Sequence, residues 1–478
     1  LSGGLPTGSL GRIGLAIFRH NANVVFAAVE VGGGRGAGRA TVDAPDDSAG
    51  GRGAGGRGGR GGGGGRGGAP GAAGAAGAAP AGGTTGLYRT DDGGANWRYF
   101  SDNNPRPNYF SQVRIDPNDP DRIYMGGVGM GLTVDGGKTW EIDAALVVHD
   151  DIHAIWINPD NSSHVIIGGD GGVGISLDRG RHWSFVQTIP AGLFYHVQYD
   201  MQYPFSVCGG MQDNFVWCGP SASRFYRGIM SYDWQTLQGG DGFEAVPDLR
   251  DWRIVYVESQ NGNLVRRNRV TGESKNIRPA GENILNARPD DPPLRWNWDT
   301  PVALSPHDPG VLYVAANRLF RSTDRGDSWT AISPDLTHGT SIYNFAESPK
   351  QPGVIYAGSD DGSLQMTRDG GRTWIDIAKN LPGMFSGGVV SEVVPSRFDA
   401  ATVYVTVDGH FENNFEPYIW ASTDFGATFH SIIGNLKGTN VRTLTEDTRN
   451  PDVLYIGTES GIFLTLDRGT SWKRLKAN

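Results

Sequence analysis

Ser322-Thr323-Asp324-Arg325-Gly326-Asp327-Ser328-Trp329 writes out one complete tight turn in eight residues. The Asp side chain accepts backbone N–H groups inside the turn, Gly supplies a positive φ, and the aromatic residue packs back between the flanking strands. The same pattern runs Ser or Thr, any residue, Asp, any residue, Gly, any residue, a small polar residue or His, then Trp or Phe. It recurs at Thr90–Trp97, Thr133–Trp140, Ser176–Trp183, Thr367–Trp374, Ser422–Phe429 and Thr465–Trp472. A short apolar strand precedes each copy, as in Gly461-Ile462-Phe463-Leu464, and another strand follows, as in Thr330-Ala331-Ile332. The seven motif aspartates, Asp92, Asp135, Asp178, Asp324, Asp369, Asp424 and Asp467, are therefore read as turn staples and not as chemistry.

Upstream of most copies lies a second signature: an alternating strand, a Pro/Asp/Asn turn, then an apolar strand ending in small residues. Val113-Arg114-Ile115-Asp116-Pro117 running into Arg122-Ile123-Tyr124-Met125-Gly126 is one case, and Ile155-Trp156-Ile157-Asn158-Pro159 running into Val165-Ile166-Ile167-Gly168 is another. Four strands per unit at a period of roughly 40–50 residues predict the blades of an all-β propeller. Two more blades read without the turn motif, one from Tyr195-His196-Val197-Gln198 and one from Phe243-Glu244-Ala245-Val246-Pro247. The total is about nine blades, either one large ring or parts of two seven-bladed rings.

Composition agrees. Hydrophobic residues make up 38% of the 478-residue chain and aromatics 10%, enough for a substantial core, and the Trp, 13 in all, recur in the repeated motif. A net charge of −9 argues against a nucleic-acid partner. No run approaches the roughly 18 apolar residues of a membrane span, so no membrane insertion is expected. The chain opens at Leu1 without Met and without a charged-then-apolar leader, which reads as a processed protein or a piece of a longer one, with further blades outside it. The blades are assigned to residues 1–31 and 87–478. Residues 32–86, almost all Gly, Ala, Arg and Pro, interrupt the first blade and read as a flexible insert with too little apolar surface to fold.

At the repeated turns the chain resembles the Asp-box (BNR) superfamily, which includes sialidases, Vps10/sortilin receptors and two-propeller xyloglucanases. The nearest group by this reading is the bacterial secreted proteins labelled sortilin/Vps10-like or "glycosyl hydrolase, BNR repeat". The resemblance covers everything except the Gly-rich insert and implies a secreted or periplasmic protein with no cofactor. It identifies a fold and leaves the activity open.

Propeller topology sorts the remaining residues. Turns between first and second strands and between third and fourth strands emerge on one face; loops between second and third strands and the connections between blades emerge on the other. The repeated turns lie on the first face. The second face gathers Tyr109, His149-Asp150-Asp151 with His153, Asp170, Gln212-Asp213-Asn214, Asp241 in a Gly-rich loop, and Trp296 and Trp298. Asp beside Gly leaves open backbone around a carboxylate, as a ligand site needs. Gly239-Gly240-Asp241-Gly242-Phe243 resembles the Gly/Asp-rich catalytic segment of xyloglucanases, which makes Asp241 the acid candidate, with Asp151, Asp170 or Asp213 as partner and the two Trp as sugar platforms. Cys208 and Cys218 flank Asp213 symmetrically on facing strands, where a disulfide would clamp the loop. The leading expectation is an extracytoplasmic propeller that binds a protein, peptide or glycan on this face. The alternative is a glycoside hydrolase acting on a β-glucan or xyloglucan-type polysaccharide through paired Asp residues. A third reading is a structural subunit of an extracellular assembly.

Overall fold

The computed structural model describes residues 3–32, 83–142, 144–145, 147–149, 151–189 and 192–476. Residues 33–82 of the Gly-rich stretch and Asp150 lie outside the described residues. The chain is all-β: nine antiparallel sheets follow one another, eight of four strands and one of three, and in each the strands lie side by side in sequence order. Among the described residues the only helices are four short 3-10 turns. This is a multi-blade β-propeller.

Contacts divide the chain into two compact units, Leu1–Gly192 and Leu193–Asn478. The smaller unit holds three blades. In its first blade Val25–Val31 pairs with Gly86–Thr90, so the strands on either side of the Gly-rich stretch are neighbours. Its second blade has three strands, and among the described residues after the turn motif only a bridge from Leu132 to Glu141 stands where other blades have a fourth strand. The third blade opens with Ile152–Ile157. Cores lie between successive sheets: Phe26, Leu87, Val113 and Ile123 join the first two blades, and Tyr124, Leu132, Ile155 and Ile167 join the next two.

The larger unit holds six blades, whose first strands are Phe194–Tyr199, Gly242–Pro247, Val302–Leu304, Ile342–Glu347, Val389–Pro395 and Val441–Glu446. Again the apolar faces of consecutive sheets bury one another, as Val246, Tyr256, Val314 and Phe320 do. The close fit of the first two of these blades depends on glycine. A Cβ on Gly210 would sit 2.1 Å from the Gly242 carbonyl carbon, so any side chain there would push the two blades apart.

The repeated turns join third and fourth strands and share one bonding scheme. In the copy that begins at Ser322, the Ser322 hydroxyl donates to Asp324 Oδ1 at 2.8 Å and accepts the Gly326 N–H at 2.8 Å. Ser328 donates its N–H to Oδ1 at 2.9 Å and its hydroxyl to Oδ2 at 2.5 Å. Arg325 and Gly326 take positive φ values of 63° and 85°, and Trp329 is fully buried with its indole N–H donating to the Ile277 carbonyl at 2.7 Å. The same residue-to-residue bonds surround Asp92, Asp135, Asp178, Asp369, Asp424 and Asp467.

Candidate functional site

Each unit gathers ionisable side chains where loops between strands and connections between blades meet. In the smaller unit the connection before Ile152 carries Asp151 at φ 65°, a left-handed position that Asp tolerates better than most residues. Its carbonyl accepts the Asp170 N–H at 3.4 Å, tying this connection to the loop after the second strand. Arg106 Nη1 lies 3.5 Å from Asp151 Oδ1, and His153 Nε2 lies 3.2 Å from Asp170 Oδ1. Burial raises the Asp151 carboxyl above the usual Asp range, while Arg106 pulls it back. Tyr109, exposed at the rim, packs edge-on to His153 with centroids 5.1 Å apart, and the Arg106 guanidinium lies 4.8 Å from its ring centre. The His149 backbone and Cβ press against Gly171.

The larger unit brings together residues from three blades. The Asp213 N–H donates to Asp241 Oδ1 at 2.8 Å, and Gln260 Nε2 donates to Asp241 Oδ2 at 2.9 Å. Asp241 thus fixes the loop Gln212-Asp213-Asn214 of the preceding blade, where Asp213 and Phe215 take positive φ values of 59° and 72°. The Tyr195 hydroxyl donates to Gln212 Oε1 at 2.7 Å, and the Trp217 indole N–H donates to the Asn214 carbonyl at 2.5 Å. Cys208 and Cys218 face each other across the two strands that carry this loop and are joined by a disulfide, with Cα atoms 4.1 Å apart. Trp298 packs against Phe243 at 4.8 Å and Tyr195 at 5.8 Å between ring centroids. Trp296 faces the other way, onto the core between its own blade and the one before, under the Arg278 guanidinium. Burial, with Asp241, Asp299 and Asp213 close by, raises the Tyr195 phenol above its ordinary value.

Beneath this loop cluster lies a ring of groups that the sequence reading missed. Tyr195, Phe243 and Trp298 are each followed by an ionisable residue: His196, Glu244 and Asp299. His196 Nε2 lies 3.0 and 2.9 Å from the two Asp299 oxygens, and its Nδ1 lies 3.7 Å from Glu244 Oε1. The remaining first strands add Tyr343, Glu392 and Arg442, and Glu392 acts electrostatically on His196 from four blades away. Asn344 Nδ2 and the Thr443 hydroxyl each donate to Glu392 at 3.1 Å. His196 keeps 38% of its side chain open to solvent. Burial alone would lower the His196 pKa, but Glu244 and Asp299 more than offset that and raise it to about 10. Burial pushes the Glu244 and Glu392 carboxyls up to about 7 against the opposing pull of His196. Glu258, fully buried, is driven well above the ordinary range by burial and by Asp299. Groups that change charge near neutrality are suited to proton transfer. The signal available in sequence was the repeated step from an aromatic residue to an ionisable one near the start of successive first strands.

No family model matches this chain. The xyloglucanase Xgh74A of Acetivibrio thermocellus is 26% identical over 211 residues, which cover 36% of this chain and 25% of that enzyme. The chain therefore spans about a quarter of the curated relative it matches. Among solved structures, the GH74 enzyme of Niastella koreensis overlays at 13% identity and a TM-score of 0.32, covering 96% of this chain and 77% of that one. The GH74 xyloglucanase of Xanthomonas campestris gives 13% identity and 0.26, over 97% and 86% of the two chains. YCF48 from Cyanidioschyzon merolae gives 14% and 0.30, over 72% and 91%. The assignment as a propeller rests on the chain's own nine sheets and the cores between them.

Proposed function

We propose that this chain belongs to a glycoside hydrolase acting on a β-glucan or xyloglucan-type polysaccharide, which it holds on the loop face of the larger unit. The observation that carries the reading is the similarity over 211 residues to a xyloglucanase. The site supports it. Asp213 and Asp241 meet there, and Trp298 and Tyr195 offer ring surface beside them. Hydrolysis of a glycosidic bond needs two carboxyl groups roughly 5–9 Å apart. The disulfide between Cys208 and Cys218 stiffens the loop and fits a secreted or periplasmic setting. The Asp-box-like turns are scaffold in this reading, and the three-blade unit, with Asp151 and Asp170, is a second glycan-contacting surface.

One observation favours binding without turnover. Both Asp241 oxygens already accept N–H groups, which is how a carboxylate serves as a loop staple. A protein, peptide or glycan would then be held on the same face and released unchanged. The purified protein assayed on a panel of β-glucans, with Asp213→Asn and Asp241→Asn alongside, separates these readings. Turnover that drops a hundredfold or more in a folded variant supports hydrolysis. Saturable binding without turnover on any glycan supports the binding reading, and neither turnover nor binding overturns both.

A further inference from the structure

We propose that Phe411 and Phe415, on one hairpin of the larger unit, form a stacking platform for the polysaccharide chain, with His410, Arg442 and Glu459 reaching its hydroxyls. The inference rests on the glycan reading above and holds whether or not the sugar is cleaved.

Geometry carries the argument. The hairpin joins Val403–Gly409 to Asn414–Ser422, the second and third strands of one blade, so it emerges on the same face as the loop of Asp213. Gly409 pairs with Asn414, and Asn413 turns the chain at φ 56°. At the tip Phe411 is 72% exposed and Phe415 47%. A single exposed apolar side chain is ordinary, but Phe411 is held in place. Its ring lies on His410 with centroids 3.8 Å apart. His410 Nδ1 lies 2.6 Å from Asp408 Oδ2, and the buried Asp408 accepts Arg442 Nη1 at 2.6 Å and the Asn440 amide from the next blade. Phe385 closes over the hairpin base: a Cβ on Gly409 would sit 2.6 Å from its ring, which also packs on Tyr418 at 4.8 Å. A platform fixed before the ligand arrives loses little freedom on binding.

The chemistry selects the occupant. A pyranose presents an apolar face of C–H groups and an edge of hydroxyls, and the two Phe rings meet the first. For the second, Arg442 and Glu459 keep 39% and 46% of their side chains open, with Arg442 Nη2 donating to Glu459 Oε1 at 2.8 Å. These charges are paired with one another, His410 and Arg442 with Asp408 and Glu459, while Glu412 and Glu416 on the same hairpin disfavour an anionic chain. A neutral, hydroxyl-rich polymer fits both conditions. Asp408 and Arg442 also act electrostatically on Tyr343, and Tyr343 on Tyr195, whose hydroxyl holds Gln212 beside Asp213. Tyr343 thus lies within electrostatic reach of the residues that anchor the hairpin and of one that anchors the Asp213 loop, and a polysaccharide has rings enough to engage both.

The test reads binding directly, by isothermal titration calorimetry of the whole chain with xyloglucan and with an unbranched β-glucan. Phe411→Ala is expected to weaken binding by about 10–100-fold, the value of covering one Phe side chain. Phe411→Tyr keeps a ring and should bind as wild type does, and Phe415→Ala should weaken binding in the same direction as Phe411→Ala. Where the wild type turns the glycan over, Phe411→Ala should raise KM and leave kcat unchanged, because a contact remote from the reacting bond is equal in ground and transition states. Circular dichroism melts confirm that each variant is folded, as expected where the replaced side chain is 72% exposed. Wild-type binding that survives in Phe411→Ala overturns the platform and leaves the glycan reading standing. Equal loss in Phe411→Ala and Phe411→Tyr also overturns it, since stacking would not then be the cause. A wild type that neither binds nor cleaves any glycan overturns the glycan reading and this proposal with it.

Discussion

Replacing Asp324 by Ala removes the staple of one blade turn and nothing else, which makes its cost calculable. Three donors lose their acceptor: the Ser322 hydroxyl, the Ser328 N–H and the Ser328 hydroxyl, at 2.8, 2.9 and 2.5 Å. A net hydrogen bond is worth about 0.5–1.5 kcal/mol, and in a turn this exposed the lower half of that range applies, giving a loss of about 1.5–3 kcal/mol. Trp329 should stay in place, because it is fully buried and its indole N–H is held by the Ile277 carbonyl. For a unit of this size each kcal/mol lowers the melting temperature by about 2–4 °C, so the expected fall is about 3–12 °C at pH 7. The sign with pH follows from the carboxyl. Burial works against ionisation of Asp324, but Ser328 more than compensates and holds its pKa below the ordinary value. A group lowered on folding stabilises above its unfolded pKa and ceases to do so as pH falls through the folded one. The gap between wild type and Asp324→Ala should therefore be full above about pH 4 and shrink below it. Asp324→Asn should lose less than half as much, since its Oδ1 still accepts the Ser328 N–H. Calorimetric melts from pH 7 to pH 2 decide the matter. A shift under 1 °C, or a gap that does not change in acid, would refute the staple argument.

Reduction of the disulfide between Cys208 and Cys218, which closes a loop of sequence separation 10, should cost about 2–3 kcal/mol and show as a lower melting point in reductant. The turn carboxylates of Asp92, Asp135, Asp369 and Asp467, drawn down to about 2 in the fold, should titrate in carbon-detected NMR well below free Asp. Their contribution to stability should then be present above about pH 4 and vanish toward pH 2. Glu244 and Glu392 have the opposite sign. Raised to about 7, they favour the fold below about pH 4.5 and lose that contribution as pH climbs through 7. Melting temperatures should therefore fall from pH 5 to pH 8, and the Glu244→Gln, Glu392→Gln double variant should flatten that slope.

The blades are legible because their staples are local. Every bond around Asp324 reaches a residue within four positions, from Ser322 to Ser328, so the motif alone specifies the turn. The two blades without the motif are legible by a different route, through strands such as Gly242–Pro247 whose apolar residues are followed by Pro/Asp turns. The second blade shows where the local rule runs out: among the described residues its motif ends in a single bridge at Glu141 and not a fourth strand. The division after Gly192 is set by which sheets pack on which, and no spacing in the sequence encodes it.

The site divides along the same line. Asp213 and Asp241 are visible in sequence as aspartates in Gly-rich loops, but what Asp241 does is settled by a donor 28 residues away. His196 and Asp299 are 103 residues apart, and only the closing of blade upon blade makes them partners. That ring also resists a purely architectural explanation. Buried ion pairs can often be replaced by apolar residues of similar volume at no loss of stability, and a buried oxygen left without a partner is a cost with no return to the fold. Glu244 and Glu392 are held at neutral pH in surroundings that oppose their ionisation, and Glu244 carries such an oxygen. A scaffold alone would be better served by the valines that line the same strands at Val390 and Val393. The double Gln variant puts this to a direct test: at pH 8 it should melt higher than wild type. That outcome arises when ionisable groups are held at the expense of stability, and a ring that served the fold alone would give the reverse.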